Sequence, residues 1–96
     1  MEHLDGGALV RVAGEVDMST APRLESQLLG LAENGGALIT VDLAETDFLD
    51  TTGLNALVVA VKHVRTRGGD LVLRAPSRPV TRVLELSGLA TVVRVV

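Results

Sequence analysis

The chain has no cysteine, no tryptophan and no tyrosine, one phenylalanine (Phe48) and one lysine (Lys62). Without cysteine there is no disulfide scaffold, thiolate nucleophile or thiolate metal site. With so little aromatic mass, any core must be built from Leu, Val, Ala and the one Ile, packed through their branched side chains. Apolar residues fill 47% of the 96 positions, enough for such a core, and the length suits one domain spanning 1–96. Charge of one sign is also scarce: nine Lys plus Arg against twelve Asp plus Glu give a formal net charge of -3, mixed along the chain. A nucleic-acid binder normally shows a basic face, and the nearest candidate, Lys62 with Arg65 and Arg67, reads as the solvated end of a helix. No apolar run approaches the roughly 18 residues a membrane span needs, and MEHLDGG has no charged-then-apolar leader pattern. The expectation is a soluble cytoplasmic protein that contacts neither nucleic acid nor membrane.

What is present is periodic. ALVRVA (8–13) alternates like a strand, preceded by the turn residues Asp5-Gly6-Gly7, which would make residues 1–4 a short partner strand. Gly14 is expected to end it. In EVDMSTAP, Ser19 or Thr20 can cap a helix with Pro22 in its first turn, and Ala21, Leu24, Leu28 and Leu31 mark one helical face up to Asn34-Gly35-Gly36. LITVDL (38–43) reads as a strand buried on both faces. A helix face follows in Leu57, Val58, Val61 and Val64, with Gly68-Gly69 at its left-handed end. LVLRA (71–75) is the next strand, Ser77 a candidate cap, Val80, Val83 and Leu84 the inward face of a last helix ending at Gly88, and TVVRVV a final strand. Strands alternating with helices call for an α/β domain, a mixed, mostly parallel sheet flanked by three or four helices.

Few groups suit catalysis. His3 lies near the chain end and His63 on the polar side of a helix, and no His and carboxylate stand at metal-ligand spacing. The glycine pairs at 6–7, 35–36 and 68–69 lack the Gly-Lys-Ser/Thr of a phosphate loop, and Asp47 and Asp50 are spaced by three where an Asp-x-Asp phosphotransfer motif needs two. No enzyme, cofactor or metal site is expected. FLDTTG, Phe48 to Gly53, stands apart because it places an acid, two hydroxyls and a glycine where a strand hands over to a helix. Asp50 can accept from amides two and three residues on, which puts Thr51 and Thr52 in the first turn. An ordinary helix cap explains that pattern. So does a phosphate-regulated surface at the C-terminal edge of the sheet, where partners of open α/β sheets approach.

The pieces together resemble the STAS-domain anti-sigma-factor antagonists of bacteria. GEVD (14–17) with TAP (20–22) is similar to that family's turn into its first helix, VDLAETDFLDTTGLNAL (41–57) to its central segment, and GGDLVL with RVLELSGL (82–89) to its closing strand and helix. The resemblance implies a small STAS fold and a partner-switching cycle that regulates transcription, as in stress responses. The unphosphorylated protein would bind an anti-sigma factor that is itself a serine/threonine kinase of the histidine-kinase-like ATPase fold, and so release a sigma factor. That kinase would phosphorylate the hydroxyl after the Asp, here Thr51 with Thr52 as second choice, and a phosphatase would reset the switch. Asp17 is expected to help dock the kinase, on a face that also includes Asp50, Thr52, Gly53, Asn55, Ala56 and Val59. The alternative is a STAS scaffold or small-ligand sensor in which Asp50 and Thr51 serve only as a cap. Two departures stand out: the family's acceptor is more often Ser, so the extra methyl of Thr51 is expected to slow transfer or suit a different kinase, and many members carry a helix beyond the last strand, so a chain ending at Val96 is expected to leave apolar surface uncovered.

Overall fold

The computed structural model describes residues 7–96 and the backbone of residues 2–4. In chain order the elements are β1 (Glu2–Leu4), β2 (Gly7–Arg11), β3 (Gly14–Val16), α1 (Ala21–Ala32), β4 (Leu38–Asp42), β5 (Thr46–Leu49), α2 (Thr51–Thr66), β6 (Asp70–Arg74), α3 (Arg78–Ser87), a 3-10 turn (Leu89–Thr91) and β7 (Arg94–Val95). The main sheet has five strands in the order β1-β2-β4-β6-β7, parallel except for the β1–β2 pair. The expected turn residues Asp5 and Gly6, and the side chain of His3, lie outside the described residues.

Register explains the core. Ala8, Ile39 and Leu71 stand side by side across β2, β4 and β6, as do Val10, Val41 and Leu73, and all six are buried. Alternation along a strand sends these residues to one face. Helices α1 and α2 pack on each other and against that face, α1 along β4 and α2 along β6. They contribute Leu24, Leu28 and Leu31 from α1 and Leu57, Val61 and Val64 from α2 to a single aliphatic cluster. Each such side chain, fully buried, stabilises the fold by about 1.5–3 kcal/mol relative to exposure. Gly69 lacks a Cβ for a packing reason, since one would run into the Ala37 carbonyl, while Gly68 and Gly88 take the left-handed conformation that follows α2 and α3.

Four expectations change. The segment 14–17 is a strand, not only a turn: the chain swings at Gly14 (φ 80) and Gly14–Val16 pairs in parallel with Thr46–Leu49, forming a separate two-stranded sheet. Strands this short show no readable alternation, and the buried Thr46, whose hydroxyl donates to the Val12 carbonyl at 2.7 Å, anchors them. Strand β4 is buried throughout on one face only, the side that α1 and α2 cover: on the other, Leu38 is 47% exposed and Thr40 half-buried, and Asp42 is covered, its carboxylate paired with Arg74 at 3.0 Å. The final strand shrinks to Arg94–Val95 because the 3-10 turn over Leu89–Thr91 continues into a turn in which the Val92 and Val93 amides donate to the Leu89 carbonyl instead of to the sheet. Ser77 occupies the position before α3 but does not cap it; its hydroxyl donates to the Thr46 carbonyl at 2.6 Å and ties α3 to β5.

Candidate functional site

Strands β3 and β5 end together, Val16 opposite Leu49, and the Asp50 amide donates to the Val16 carbonyl at 3.1 Å. Two aspartates, Asp17 and Asp50, therefore leave parallel strand ends as neighbours, and each organises the start of a helix. Asp50 has extended backbone, and one carboxylate oxygen accepts from the Thr52 amide at 2.9 Å, the Gly53 amide at 3.1 Å and the Thr52 hydroxyl at 2.5 Å. This satisfies donors that α2 cannot pair within itself. Asp17 does the same work for the approach to α1. Its carboxylate accepts from the Ser19 amide at 2.9 Å, the Ser19 hydroxyl at 2.6 Å and the Thr20 amide at 3.3 Å. The expected cap by Ser19 or Thr20 is thereby corrected. Thr20 stands at the position before α1 but turns its hydroxyl back to the Glu15 carbonyl at 3.1 Å, and Asp17, the stronger acceptor, holds the turn.

Both carboxyls are held below the usual carboxylate range. For Asp50 the largest cause is the Thr52 hydroxyl, helped by the two amides and opposed by partial desolvation and by the negative charge of Asp17. For Asp17 it is the Ser19 hydroxyl. Both residues are thus anionic at neutral pH, and the two hydroxyls of the first turn of α2 stand in different states. That of Thr52 is engaged by Asp50; that of Thr51, on an exposed residue, has no hydrogen-bond partner among the described residues.

The proposed docking residues divide by helical phase. Thr51, Thr52 and Asn55 are exposed, Val59 is half-buried, and Gly53 and Ala56 are buried, Ala56 to 2% exposure. Positions 53, 56, 57 and 60 share the inward stripe of α2, so Gly53 and Ala56 do not present themselves on the surface. Gly53 has a structural duty: a Cβ there would collide with the side chains of Leu49 and Val16, so glycine lets the first turn rest on the ends of β5 and β3. Ala56 forms part of the floor of an open groove of about 320 Å³ between the starts of α1 and α2, with Met18, Pro22 and Glu25 on one side and Thr51, Thr52 and Asn55 on the other. The sequence reading missed Met18, which is 76% exposed, and Phe48, 48% exposed; an apolar residue beside an Asp-rich turn was the available signal.

Elsewhere several ionisable groups have structural partners. Glu33 at the end of α1 meets His63 at 3.4 Å and Arg67 at 3.1 Å, and Arg65 meets Asp70 at 2.9 Å, so these groups tie the far ends of α1, α2 and β6 together. Among the described residues no cluster of three His, Cys, Asp or Glu could hold a metal ion, and no helix is long and apolar enough to cross a membrane.

Comparison with known proteins agrees with this geometry. The STAS domain family profile matches residues 1–96. The anti-sigma-B factor antagonist of Listeria monocytogenes is 34% identical over 94 residues, covering 98% of this chain and 79% of its own length. The chain belongs to the STAS-domain family of anti-sigma-factor antagonists. The corresponding Bacillus subtilis protein is 36% identical over 84 residues, covering 88% of this STAS domain and 76% of the relative. Among solved structures, an anti-sigma factor antagonist from Mycobacterium paratuberculosis superposes with TM-score 0.87 at 29% identity, covering 98% of this chain and 80% of that one. SpoIIAA in its unphosphorylated form shares the fold at TM-score 0.82 and 19% identity, over 97% of this chain and 82% of its own.

Proposed function

We propose that this STAS domain is a non-catalytic partner switch whose unphosphorylated form binds an anti-sigma factor with serine/threonine kinase activity, freeing a sigma factor, and whose phosphorylation at Thr51 ends the association. The observation that carries this reading is the contrast at the first turn of α2: the Thr51 hydroxyl is exposed and unpartnered at the mouth of a groove, while that of Thr52 is bound to Asp50. A phosphoryl acceptor has to reach the γ-phosphorus of ATP in line, which suits a hydroxyl free to turn toward the partner better than one held within its own turn by Asp50. In the transfer the Thr51 oxygen forms the new P–O bond, ADP leaves, and the hydroxyl proton passes to a base on the kinase.

The product carries about 1.5 to 2 additional negative charges on Thr51. The N-terminus of α2 favours them and Asp50 and Asp17 oppose them, so the fold persists. The interface does not, because a partner that had desolvated a neutral hydroxyl would now have to bury a hydrated dianion facing its own nucleotide phosphates. A separate phosphatase resets the domain. The docking face comprises Asp17, Asp50, Thr51, Thr52, Asn55 and Val59, and a standard interface there buries roughly 1,200 to 2,000 Å² in total.

Intact-mass measurement after incubation with the cognate anti-sigma factor and ATP tests the assignment. One phosphate is expected on the parent protein and on Thr52→Ala, and none on Thr51→Ala. Transfer to Thr52 would overturn the assignment to Thr51 and move the switch to the second-choice acceptor; no transfer to either threonine, together with unchanged binding by Thr51→Glu, favours the scaffold or ligand-sensor reading instead.

A further inference from the structure

Asn55 sits in the second turn of α2, where helix propensity favours Ala or Leu. It is exposed, and its carboxamide makes no hydrogen bond among the described residues. Asn55 follows Thr51 by four positions, so the two share a face of the helix with Cβ atoms about 5–6 Å apart. A helical side chain leans toward the N-terminus and covers the turn before its own, which carries the Asn55 carboxamide toward Thr51. Both residues line the groove between the starts of α1 and α2.

The rest of that lining defines what a phosphoryl group on Thr51 would meet. Met18, Pro22 and Ala56 are apolar, Glu25 of α1 brings a carboxylate, and the Thr52 hydroxyl already donates to Asp50. Asp50 and Asp17, at the ends of β5 and β3, add two further negative charges close to each other. No Lys or Arg lines this groove; Arg23 of α1 lines the neighbouring one, with Arg11 and Glu15. Apart from the acceptor itself, the one uncommitted side-chain donor along the groove is therefore the amide of Asn55, which offers two N–H groups and no charge.

We propose that Asn55 is a positioning residue of the switch: once Thr51 is phosphorylated, the Asn55 carboxamide donates to a phosphoryl oxygen and holds the group over the groove between α1 and α2. This rests on the assignment of Thr51 as the acceptor and adds to it the place where the phosphoryl group lies. A lysine or arginine at position 55 would bind the group and cancel part of its charge. A neutral donor orients the dianion and leaves the charge whole, so the repulsion stays where the partner has to enter.

Genetically encoded phosphothreonine at position 51 supplies the modified protein without a kinase. The chain has two Asn and one Gln, so its nitrogen-15 spectrum holds three side-chain amide groups, with Asn34 and Gln27 as internal references. On phosphorylation one Asn55 amide proton should move downfield while those of Asn34 and Gln27 stay. In a phosphorus-31 titration the second pKa of the phosphothreonine, ordinarily near 6, should rise by about 0.5 in Asn55→Ala, which loses a hydrogen bond to the dianion. It should rise further in Asn55→Asp, which adds a like charge, and stay nearer the parent in Asn55→Gln, which keeps the donor. Ala is the better helix former, so Asn55→Ala keeps the fold in which this is read. Calorimetry of the phosphorylated parent with the cognate anti-sigma factor is the control for the underlying reading. If phosphorylation ends binding and yet the Asn55 amide is unmoved and Asn55→Ala titrates as the parent does, the positioning role is refuted and the switch stands. If the phosphorylated and unmodified parents bind equally tightly, or the anti-sigma factor phosphorylates Thr52 alone, the acceptor assignment fails and the role of Asn55 fails with it.

Discussion

Asp50 makes two contributions that can be separated, one through hydrogen bonds and one through charge. Its carboxylate caps α2 and is held below the ordinary value of 3.8 chiefly by the Thr52 hydroxyl. Asp17 and Asp70 are lowered as well, Asp17 by Ser19 and Asp70 by Arg65. A carboxyl whose folded pKa lies below its unfolded value adds stability that is complete above the unfolded pKa and is lost as pH falls through the folded one. The urea midpoint should therefore hold steady near neutrality and decline from roughly pH 5 downward. In Asp50→Asn the amide oxygen still accepts from the Thr52 and Gly53 amides, so the cap persists while this titration disappears. Its acid decline should be shallower than the parent's; an identical decline would show that Asp50 is not shifted. Asp50 was readable as a cap from the DTTG spacing. The use of Asp17 was not, because an Asp two residues before a Ser and three before a Thr leaves three capping candidates, and only the backbone path through β3 selects among them.

Helix α2 depends on how closely its first turn rests on the strand ends. Gly53→Ala places a Cβ against Leu49 and Val16, an overpacking that should cost about 1–3 kcal/mol and tilt the turn that carries Thr51. Gly30 is the control. It lies exposed within α1 with open space around its missing Cβ, so Gly30→Ala should stabilise the domain by about 0.5–1 kcal/mol. Chemical denaturation of the two variants reads both signs, and a neutral Gly53→Ala would show that the turn is not pinned. The long elements were legible because α1 and α2 repeat apolar residues on one face over three turns or more. Strands β3 and β5 were not, because three or four residues cannot display a period and their pairing joins segments about thirty positions apart.

At the scale of the whole molecule, an aliphatic core carries stability, and the end where α2 begins carries the proposed switch. Leu57, fully buried where α2 meets the cluster, should lose about 2–5 kcal/mol on truncation to Ala, a large share of what a domain of this size possesses. Thermal melting of that variant measures it, and a loss under 1 kcal/mol would contradict the packing described. The fold class and the Asp50-capped first turn of α2 could be read from sequence because periodicity and capping are local. The burial of Gly53 and Ala56 and the exposure of Phe48 could not, since they follow from which side of each element the other layers cover. The central claim is that charge on one hydroxyl ends an association without disturbing the fold. Titration calorimetry of the cognate anti-sigma factor with the Thr51-phosphorylated and unmodified proteins, melting both in parallel, tests it most directly. The account predicts binding by the unmodified form alone with closely matched melting temperatures; equal affinity of the two forms, or loss of binding only because the phosphorylated form unfolds, would contradict it.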